Sequence, residues 1–363
     1  MHMADALLSP AVGGTMWAVS AGMIAFCSHK VRAEMDDSKV PLMGVLGAFI
    51  FAAQMINFSI PVTGSSGHLG GGLILSVLLG PYAAFLSIAS VLVVQALFFA
   101  DGGLLALGCN IFNLGFFPAF IAYPVIFRKI IASRPTAARI LLASMIAAIA
   151  GLQLGAFSVV VETVASGISS LPFSTFAAVM QPIHLAIGIV EGLVTASLVS
   201  FLYKARPEMV SGSLKARQTG NYSVRNIILA FLLVAAVIGG LVSWFASKDP
   251  DGLEWSINKV TGREELKAPE QGLHSVLASL QEKSSFLQDY SFRTSAGVTK
   301  HESEHVEKNQ AGSGTHLGTS VSGLVGGLTA LGLSFLIGRV LKRRKGLPPE
   351  SGVTRTTWRR INN

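Results

Sequence analysis

The sequence of 363 residues is poor in charge and in cysteine. Asp, Glu, Lys and Arg make up only 13% of the chain, and only two residues are cysteines. Soluble domains typically contain about 25% charged residues, so the composition argues against a soluble domain. The two cysteines, Cys27 and Cys109, fall on opposite sides of the membrane in the topology predicted below and cannot form a disulfide. The chain also lacks Gly-x-x-x-x-Gly-Lys-Ser/Thr, and therefore has no P-loop with which to bind ATP.

Hydrophobic residues are abundant instead, at 51% of the chain, and they form long apolar runs. Most of these runs approach the roughly 20 residues that a membrane-spanning helix needs. We therefore predict an all-α polytopic membrane protein. The nine runs are approximately Ala11–Cys27, Leu42–Ile60, Leu69–Gly80, Pro81–Phe99, Leu107–Phe127, Ile140–Val161, Ile183–Tyr203, Ile227–Phe245 and Leu317–Leu341.

Positive charges alternate between the two ends of these runs. Lys and Arg follow the first, fifth, seventh and ninth runs, whereas loops 61–68, 100–106 and 162–181 contain neither. Because positively charged loops stay in the cytoplasm, we predict an external N-terminus and a cytoplasmic C-terminus. The net charge of +8 is thus explained by membrane orientation and does not indicate nucleic-acid binding.

The third run, Leu69–Gly80, is too short to span a bilayer, because about 12 helical residues rise only about 18 Å. Merging it with the fourth run would place the basic residues that follow the fifth run outside the cell, so we predict a break at Gly80-Pro81. The loop that carries His68, just before this short helix, should then be sunk into the bundle. Irregular backbone at that depth must be buried in protein or line a cavity.

A basic, polar stretch divides the chain into two modules. We predict a seven-helix transmembrane domain at residues 1–206 and a cytoplasmic linker at 207–225. A two-helix transmembrane hairpin follows at 226–345 and holds an external insert at 247–316. Residues 346–363 form a cytoplasmic tail.

Three residues on the predicted outer side suggest a metal site. With a free amine on Met1, the amine nitrogen, the backbone nitrogen of His2 and His2 Nδ1 can close two fused chelate rings around one ion. His68 lies in the Gly/Ser-rich segment Thr63–Gly72 and can supply a fourth nitrogen in the same plane. Four nitrogens in a square favour Ni(II) or Cu(II). The alternative is that His2 is an incidental surface residue and His68 a hydrogen-bonded loop histidine.

A series of short motifs along residues 1–206 resembles the NikM/CbiM family, the substrate-binding subunits of energy-coupling-factor transporters for nickel and cobalt. The second module carries Pro250-Asp-Gly-Leu-Glu254, which is typical of the NikN-type partner of this family. One departure is Ala6, where we expect glycine. The matching motifs are Met1-His2 with Asp5, Pro41-Leu-Met-Gly-Val45, Gln54-Met-Ile-Asn57-Phe58, Ser66-Gly-His68-Leu69, Gln95-Ala-Leu97, Asp101-Gly-Gly103, Leu107-Gly-Cys-Asn110-Ile111 and His184-Leu-Ala-Ile-Gly-Ile-Val-Glu191-Gly192.

The resemblance implies that the chain captures Ni²⁺ as transported substrate, with Co²⁺ as the alternative, and that Met1, His2 and His68 are its direct ligands. It also implies partners: a transmembrane coupling subunit, two ATP-binding-cassette ATPase subunits and membrane lipid, but no nucleic acid. The chain itself would bind no ATP and would not be an enzyme. Its location would be the cytoplasmic membrane of a bacterium or archaeon.

Other polar groups near the outer ends of the helices are candidates for orienting the ligands or their loops. Hydrogen bonds between membrane helices are an equally good explanation for each of them. These candidates are Asp5, Gln54, Asn57, Ser66 and Asn110.

Two further groups have two interpretations each. His184 and Glu191 lie seven residues apart on one helix face at membrane depth, and they are candidates for a translocation path or a structural pair. Gly44, Ala48 and Ala52 form a stripe of small residues that suits close helix contact. In this family such a stripe meets the coupling subunit, and internal packing is the alternative.

The external insert contains His301-Glu-Ser-Glu-His305, whose histidines at i and i+4 would share a helix face and could bind a metal. The segment has no apolar face, so we favour a solvated helix or loop.

Two other functions compete with metal capture for an importer. A stand-alone secondary metal transporter would favour inverted repeats, and the sequence shows no convincing repeat. An intramembrane enzyme is disfavoured because no paired carboxylates occur at membrane depth.

Overall fold

The computed structural model describes residues 2–34, 39–132, 135–210, 223–263, 266–292 and 314–342. The predicted helical fold is confirmed. In the first module the apolar runs form helices α1 (Pro10–Glu34), α2 (Val40–Gln54), α3 (Gly72–Leu79), α4 (Pro81–Phe99), α5 (Leu107–Ile131), α6 (Ala137–Ser166) and α7 (Phe173–Ala205).

The second module contributes α8 (Val224–Gly240), α9 (Gly252–Thr261), α10 (Leu273–Ser284) and α11 (Gly314–Leu341). Helices α8 and α11 form the predicted hairpin, and α9 and α10 belong to the insert between them. Short helices occur at Asp5–Leu7, Pro207–Val210, Val242–Phe245 and Gln288–Tyr290.

Six of these helices, α1, α4, α5, α6, α7 and α11, are long and apolar enough to cross a membrane. Large apolar side chains on their outer faces, such as Phe26, Leu142, Phe201 and Leu328, are exposed. Exposed apolar surface on long helices is the pattern of helices that face lipid, and the chain is a multi-pass membrane protein. The external position of the N-terminus stays a prediction.

Helix α2 lies at the centre of the bundle. It is apolar on all sides, and every residue except Pro41 is buried. Its 15 residues rise only about 22 Å, less than the bilayer core. The chain therefore continues toward α3 as irregular backbone, with a small antiparallel pair of strands, β1 (Phe58–Ile60) and β2 (Ser65–Gly67), which the sequence did not predict.

The segment from Ser65 to Leu79, which includes the His68 loop and α3, is buried. Helix α3 ends at Leu79, Gly80 adopts a left-handed φ of 84°, and α4 begins at Pro81. The predicted break at Gly80-Pro81 and the sunken His68 loop are both present.

The hairpin packs on α2 through small residues. A Cβ on Gly44 would come within 2.9 Å of the Leu331 carbonyl oxygen, and one on Gly47 within 2.7 Å of Ser334 Oγ. Gly44, Ala48 and Ala52 are all buried. Helix α11 therefore covers this stripe within the same chain. A coupling subunit would reach the stripe only after the hairpin had left it, and that contact stays a prediction.

Close packing of α8 and α11 should make Gly323 intolerant of a larger side chain. A Cβ there would overlap the carbonyl oxygen of Gly239, whereas a Cβ on Gly332 of the same helix would meet nothing within 4 Å. Overpacking of this kind costs about 1–3 kcal/mol. Thermal unfolding in detergent should show a lower Tm for Gly323→Ala and an equal or higher Tm for Gly332→Ala, since alanine favours helix. Equal melting of both variants would contradict the packing described.

Candidate metal site

A cavity of about 550 Å³ opens between the N-terminal segment, the His68 loop and the insert between α8 and α11. Its walls include His2 and His68 from the first module and Asp251, His274 and Tyr290 from the insert. Met1 lies outside the described residues, so the structure places two of the three predicted ligands.

The rings of His2 and His68 lie against each other in this cavity. Their centroids are 4.9 Å apart and their planes differ by 10°. The His2 side chain is only 6% exposed and His68 only 8%. Two histidines that are distant in the sequence thus meet in one buried position.

His68 is held in a form that suits metal binding. Its Nδ1 lies 3.1 Å from the carbonyl oxygen of Leu69. Because a carbonyl oxygen only accepts hydrogen bonds, this contact favours a proton on Nδ1 and a lone pair on Nε2. Burial, reinforced by the nearby charge of His2, lowers the pKa of His68 to about 3. The ring is therefore neutral at physiological pH, as a metal ligand must be.

His2 contacts a carboxylate that the sequence did not single out as a site residue. Its Nδ1 lies 2.9 Å from Asp101 Oδ1, and its Nε2 has no hydrogen-bond partner among the described residues. Tyr290 donates a hydrogen bond of 2.5 Å to Asp101 Oδ2. Burial alone would raise the pKa of Asp101, but the charge and hydrogen bond of His2 and the Tyr290 hydroxyl together lower it below its ordinary value. The signal in the sequence was an acidic residue in an external loop that lacks Lys and Arg.

Hydrogen bonds fix the N-terminal segment that carries His2. The Met3 N–H donates to Asn110 Oδ1 at 2.8 Å, and Asn110 Nδ2 donates to the Met3 carbonyl at 3.2 Å. Asp5 Oδ1 accepts from the Ala106 N–H at 2.9 Å. Asn110 and Asp5 thus position the segment and do not touch the histidine rings through these bonds. Ala6 has no left-handed backbone, so the turn does not require glycine.

The loop after His68 is held from two sides. Gln54 Nε2 donates to the Gly70 carbonyl at 2.9 Å, and Gln54 Oε1 in turn accepts from Gln95 Nε2 at 3.0 Å. Glu191 accepts from the Gly70 N–H at 2.8 Å and from the Gly71 N–H at 3.2 Å. Gln54 and Glu191 therefore anchor the backbone that presents His68, which gives Glu191 a positioning role.

His184 is buried on α7, and its Nδ1 lies 2.8 Å from the Met180 carbonyl oxygen. A Cβ on Gly252 of the insert would come within 3.2 Å of His184 Cε1, so the insert packs directly against this ring. His184 and Glu191 share α7 but bond to different partners. A part for either in translocation stays a prediction.

Ser66 and Asn57 bind the insert. The Ser66 N–H donates to the Pro250 carbonyl at 2.8 Å, and Ser66 Oγ donates to the Asp249 carbonyl at 2.8 Å. The Asn57 carbonyl accepts from the Ser247 N–H at 2.7 Å. These bonds join the loop before His68 to the insert, so the predicted ligand-orienting residues include two that connect the modules.

The Pro250–Glu254 motif forms the start of α9 and faces the cavity. Asp251 accepts hydrogen bonds from the backbone of Leu253 and Glu254, and the Glu254 carboxylate accepts one from the Asp251 N–H, which is a capping box. Burial would raise the pKa of Asp251, but nearby positive charge and the hydrogen bond from the Glu254 N–H lower it. The motif thus forms the N-terminus of α9, and its N-cap residue Asp251 lines the cavity together with the predicted ligands His2 and His68.

The histidine pair His301 and His305 lies outside the described residues. This segment fits His-Glu-x-x-His, the pattern of zinc-dependent proteases. The prediction that the chain is not an enzyme rests instead on the lack of paired carboxylates at membrane depth.

Comparison with protein families identifies both modules. The family described as the cobalt uptake substrate-specific transmembrane region, CbiM, matches residues 2–209. The PDGLE domain matches residues 225–343.

Individual metal transport proteins also resemble more than half of this chain. The chain is 30% identical over 226 residues to the fused nickel transport protein NikMN of Rhodobacter capsulatus, covering 58% of this chain and 64% of that protein. It is 29% identical over 218 residues to the cobalt transport protein CbiM of Sorangium cellulosum, covering 58% and 94%. A crystal structure of a transition metal transporter matches with a TM-score of 0.51 at 30% identity, covering 60% of this chain and all of that one.

Glu191→Ala should weaken metal binding although this residue is not a predicted ligand. The variant removes both acceptors of the Gly70 and Gly71 N–H groups, so the His68 loop loses its anchor. Partners behind metal ligands typically contribute 10- to 100-fold in affinity, and we expect a loss of about tenfold or more by calorimetric titration with Ni²⁺. Ser197→Ala, on the exposed face of the same helix, is the control. Unchanged affinity in a folded Glu191→Ala protein would show that the anchor is dispensable.

Proposed function

Because the chain belongs to the CbiM family and carries a PDGLE domain, we propose that it is the metal-capturing subunit of an importer for Ni²⁺. The single observation that carries this proposal is the buried, stacked pair of His2 and His68 in a cavity closed by the PDGLE module. Imidazole nitrogens suit transition metals, whereas Mg²⁺ and Ca²⁺ prefer oxygen ligands.

The proposed site has four nitrogens. With Met1 as the amino terminus, its amine, the backbone nitrogen of His2 and His2 Nδ1 form the two fused chelate rings. His68 supplies the fourth nitrogen through Nε2, which its bond to Leu69 leaves with the lone pair. Binding releases protons from the amine and the amide, so the site gains affinity as pH rises.

Nickel is favoured over cobalt for two reasons. A planar four-nitrogen geometry suits Ni(II), and a relative from Rhodobacter capsulatus is named a fused nickel transport protein. Co²⁺ uptake by the same mechanism is the alternative, since other relatives are named cobalt transport proteins.

Energy for uptake would come from other chains. The sequence has no P-loop, so we propose that two ATP-binding-cassette subunits and a transmembrane coupling subunit complete an energy-coupling-factor transporter. A stand-alone secondary transporter lacks support, because the ionisable Glu191 at membrane depth is occupied in holding the His68 loop.

An extra residue before Met1 should abolish tight nickel binding. The extension converts the amine into an amide and moves the free amine out of the chelate, so one of four nitrogens is lost. Calorimetric titration of the purified, untagged protein measures this directly, and one extra residue after Asn363 is the matched control. Equal nickel affinity of the N-terminally extended and native proteins would rule out the amine as a ligand.

Deleting residues 221–363 should reduce nickel uptake by cells that contain the coupling subunit and ATPases. The deletion removes the insert that closes the cavity and the bonds from Ser66 to Asp249 and Pro250. All proposed ligands remain, so the truncated protein should still bind Ni²⁺ supplied directly, with lower affinity. Full uptake at equal membrane abundance would show the hairpin to be dispensable. Complete loss of binding from a folded truncation would mean that the insert supplies a ligand.

A further inference from the structure

We propose that Tyr290 of the external insert is a positioning residue for the metal site and acts on His2 through Asp101. The inference rests on the proposed function, since it concerns the same site. Its basis is a continuous chain of contacts between the modules: Tyr290 Oη lies 2.5 Å from Asp101 Oδ2, and Asp101 Oδ1 lies 2.9 Å from His2 Nδ1.

Tyr290 is fixed by the first module. Its ring stacks on Phe99 of α4, with centroids 4.8 Å apart and planes 17° apart, and it also contacts Phe51 of α2 at 6.3 Å. Tyr290 and Asp289 both have left-handed φ angles, 57° and 50°. Residues other than glycine rarely adopt this conformation, and it persists only where the surrounding contacts impose it. The turn at Asp289 and Tyr290 is thus held in a strained shape that aims the Tyr290 hydroxyl at Asp101.

Asp101 competes with the metal for His2. The chelate requires the lone pair of His2 Nδ1, and in this structure Nδ1 faces the carboxylate instead. Loading must therefore separate His2 from Asp101. A carboxylate whose side chain is only 25% exposed then needs another donor, because an unpaired buried charge is costly. Tyr290 is the donor that remains.

The hydrogen bond from Tyr290 to Asp101 should increase the affinity for nickel. With Tyr290 present, Asp101 keeps one hydrogen bond after it releases His2, so loading is easier. Without the hydroxyl, His2 is the one side-chain partner of Asp101 among the described residues, and Asp101 loses it on loading. The insert therefore raises nickel affinity without contributing a ligand.

The test compares variants of the full-length protein with a native N-terminus, titrated with Ni²⁺. Tyr290→Phe keeps the stacked ring and removes only the hydroxyl. Hydrogen bonds to charged groups contribute enough that we expect affinity to fall about tenfold to hundredfold. In an Asp101→Asn background the same substitution should change affinity by no more than about twofold, since the carboxylate through which Tyr290 acts is gone.

Trp255→Phe is the matched control. Trp255 Nε1 donates to the Thr63 carbonyl, so this variant also removes one hydrogen bond between insert and first module, away from Asp101. Its affinity should stay within about twofold of wild type. An equal loss in Trp255→Phe and Tyr290→Phe would mean that general docking of the insert matters, and would overturn the positioning role.

A spectroscopic measurement on the metal-free protein separates this inference from the function on which it rests. The NMR chemical shift of the His2 Nδ1 proton should change in Tyr290→Phe, because Asp101, which accepts this proton, no longer accepts a second hydrogen bond from Tyr290. The same chemical shift should stay unchanged in Trp255→Phe. Failure of the wild-type protein to bind Ni²⁺ would remove the proposed function and this inference together. This inference alone would be overturned if the wild-type protein binds Ni²⁺ and Tyr290→Phe has the same nickel affinity and the same His2 proton signal as wild type.

Discussion

The hydrogen bonding of irregular backbone deep within the bundle is the constraint on which the site depends. Helix α2 has only 15 residues, too few to span the bilayer core, and the chain then passes through β1, β2 and the His68 loop before α3 begins. At this depth lipid offers no hydrogen bonds, so the protein must supply them. Glu191 and Gln54 do so for Gly70 and Gly71, and in doing so they fix the position from which His68 enters the cavity.

The second module completes the enclosure. The capping box at Asp251 starts α9 directly after Asp249 and Pro250, whose carbonyls accept hydrogen bonds from Ser66. Gly252 allows the start of α9 to lie directly on His184. Tyr290 of the insert donates a hydrogen bond to Asp101, the carboxylate that contacts His2. Fusion of the two modules in one chain keeps the insert near the cavity at all times, which raises its effective concentration over that of a separate subunit.

Much of this organisation could be predicted from local sequence. Apolar runs predicted the helices, and Gly80-Pro81 predicted the break, because both depend on residues close together in the chain. The meeting of His2 with His68 was predicted from chelate chemistry and family resemblance. The Asp101–Tyr290 bond and the docking of Ser66 on Pro250 were not predicted, because each joins loops far apart in sequence that carry no periodic pattern. The stripe at Gly44 and Ala48 showed that some helix packs closely there, but small residues do not specify which one, and α11 occupies it.

We propose that nickel is bound by four nitrogens in a plane, in a cavity that the insert lines on one side. X-ray absorption spectroscopy of the nickel-loaded, full-length protein with a native N-terminus tests it most directly. We expect a four-coordinate square-planar Ni(II) with nitrogen ligands only, including imidazole. A six-coordinate spectrum with oxygen ligands would contradict the account, because it would place the metal among the carboxylates and water of the cavity and away from His2 and His68.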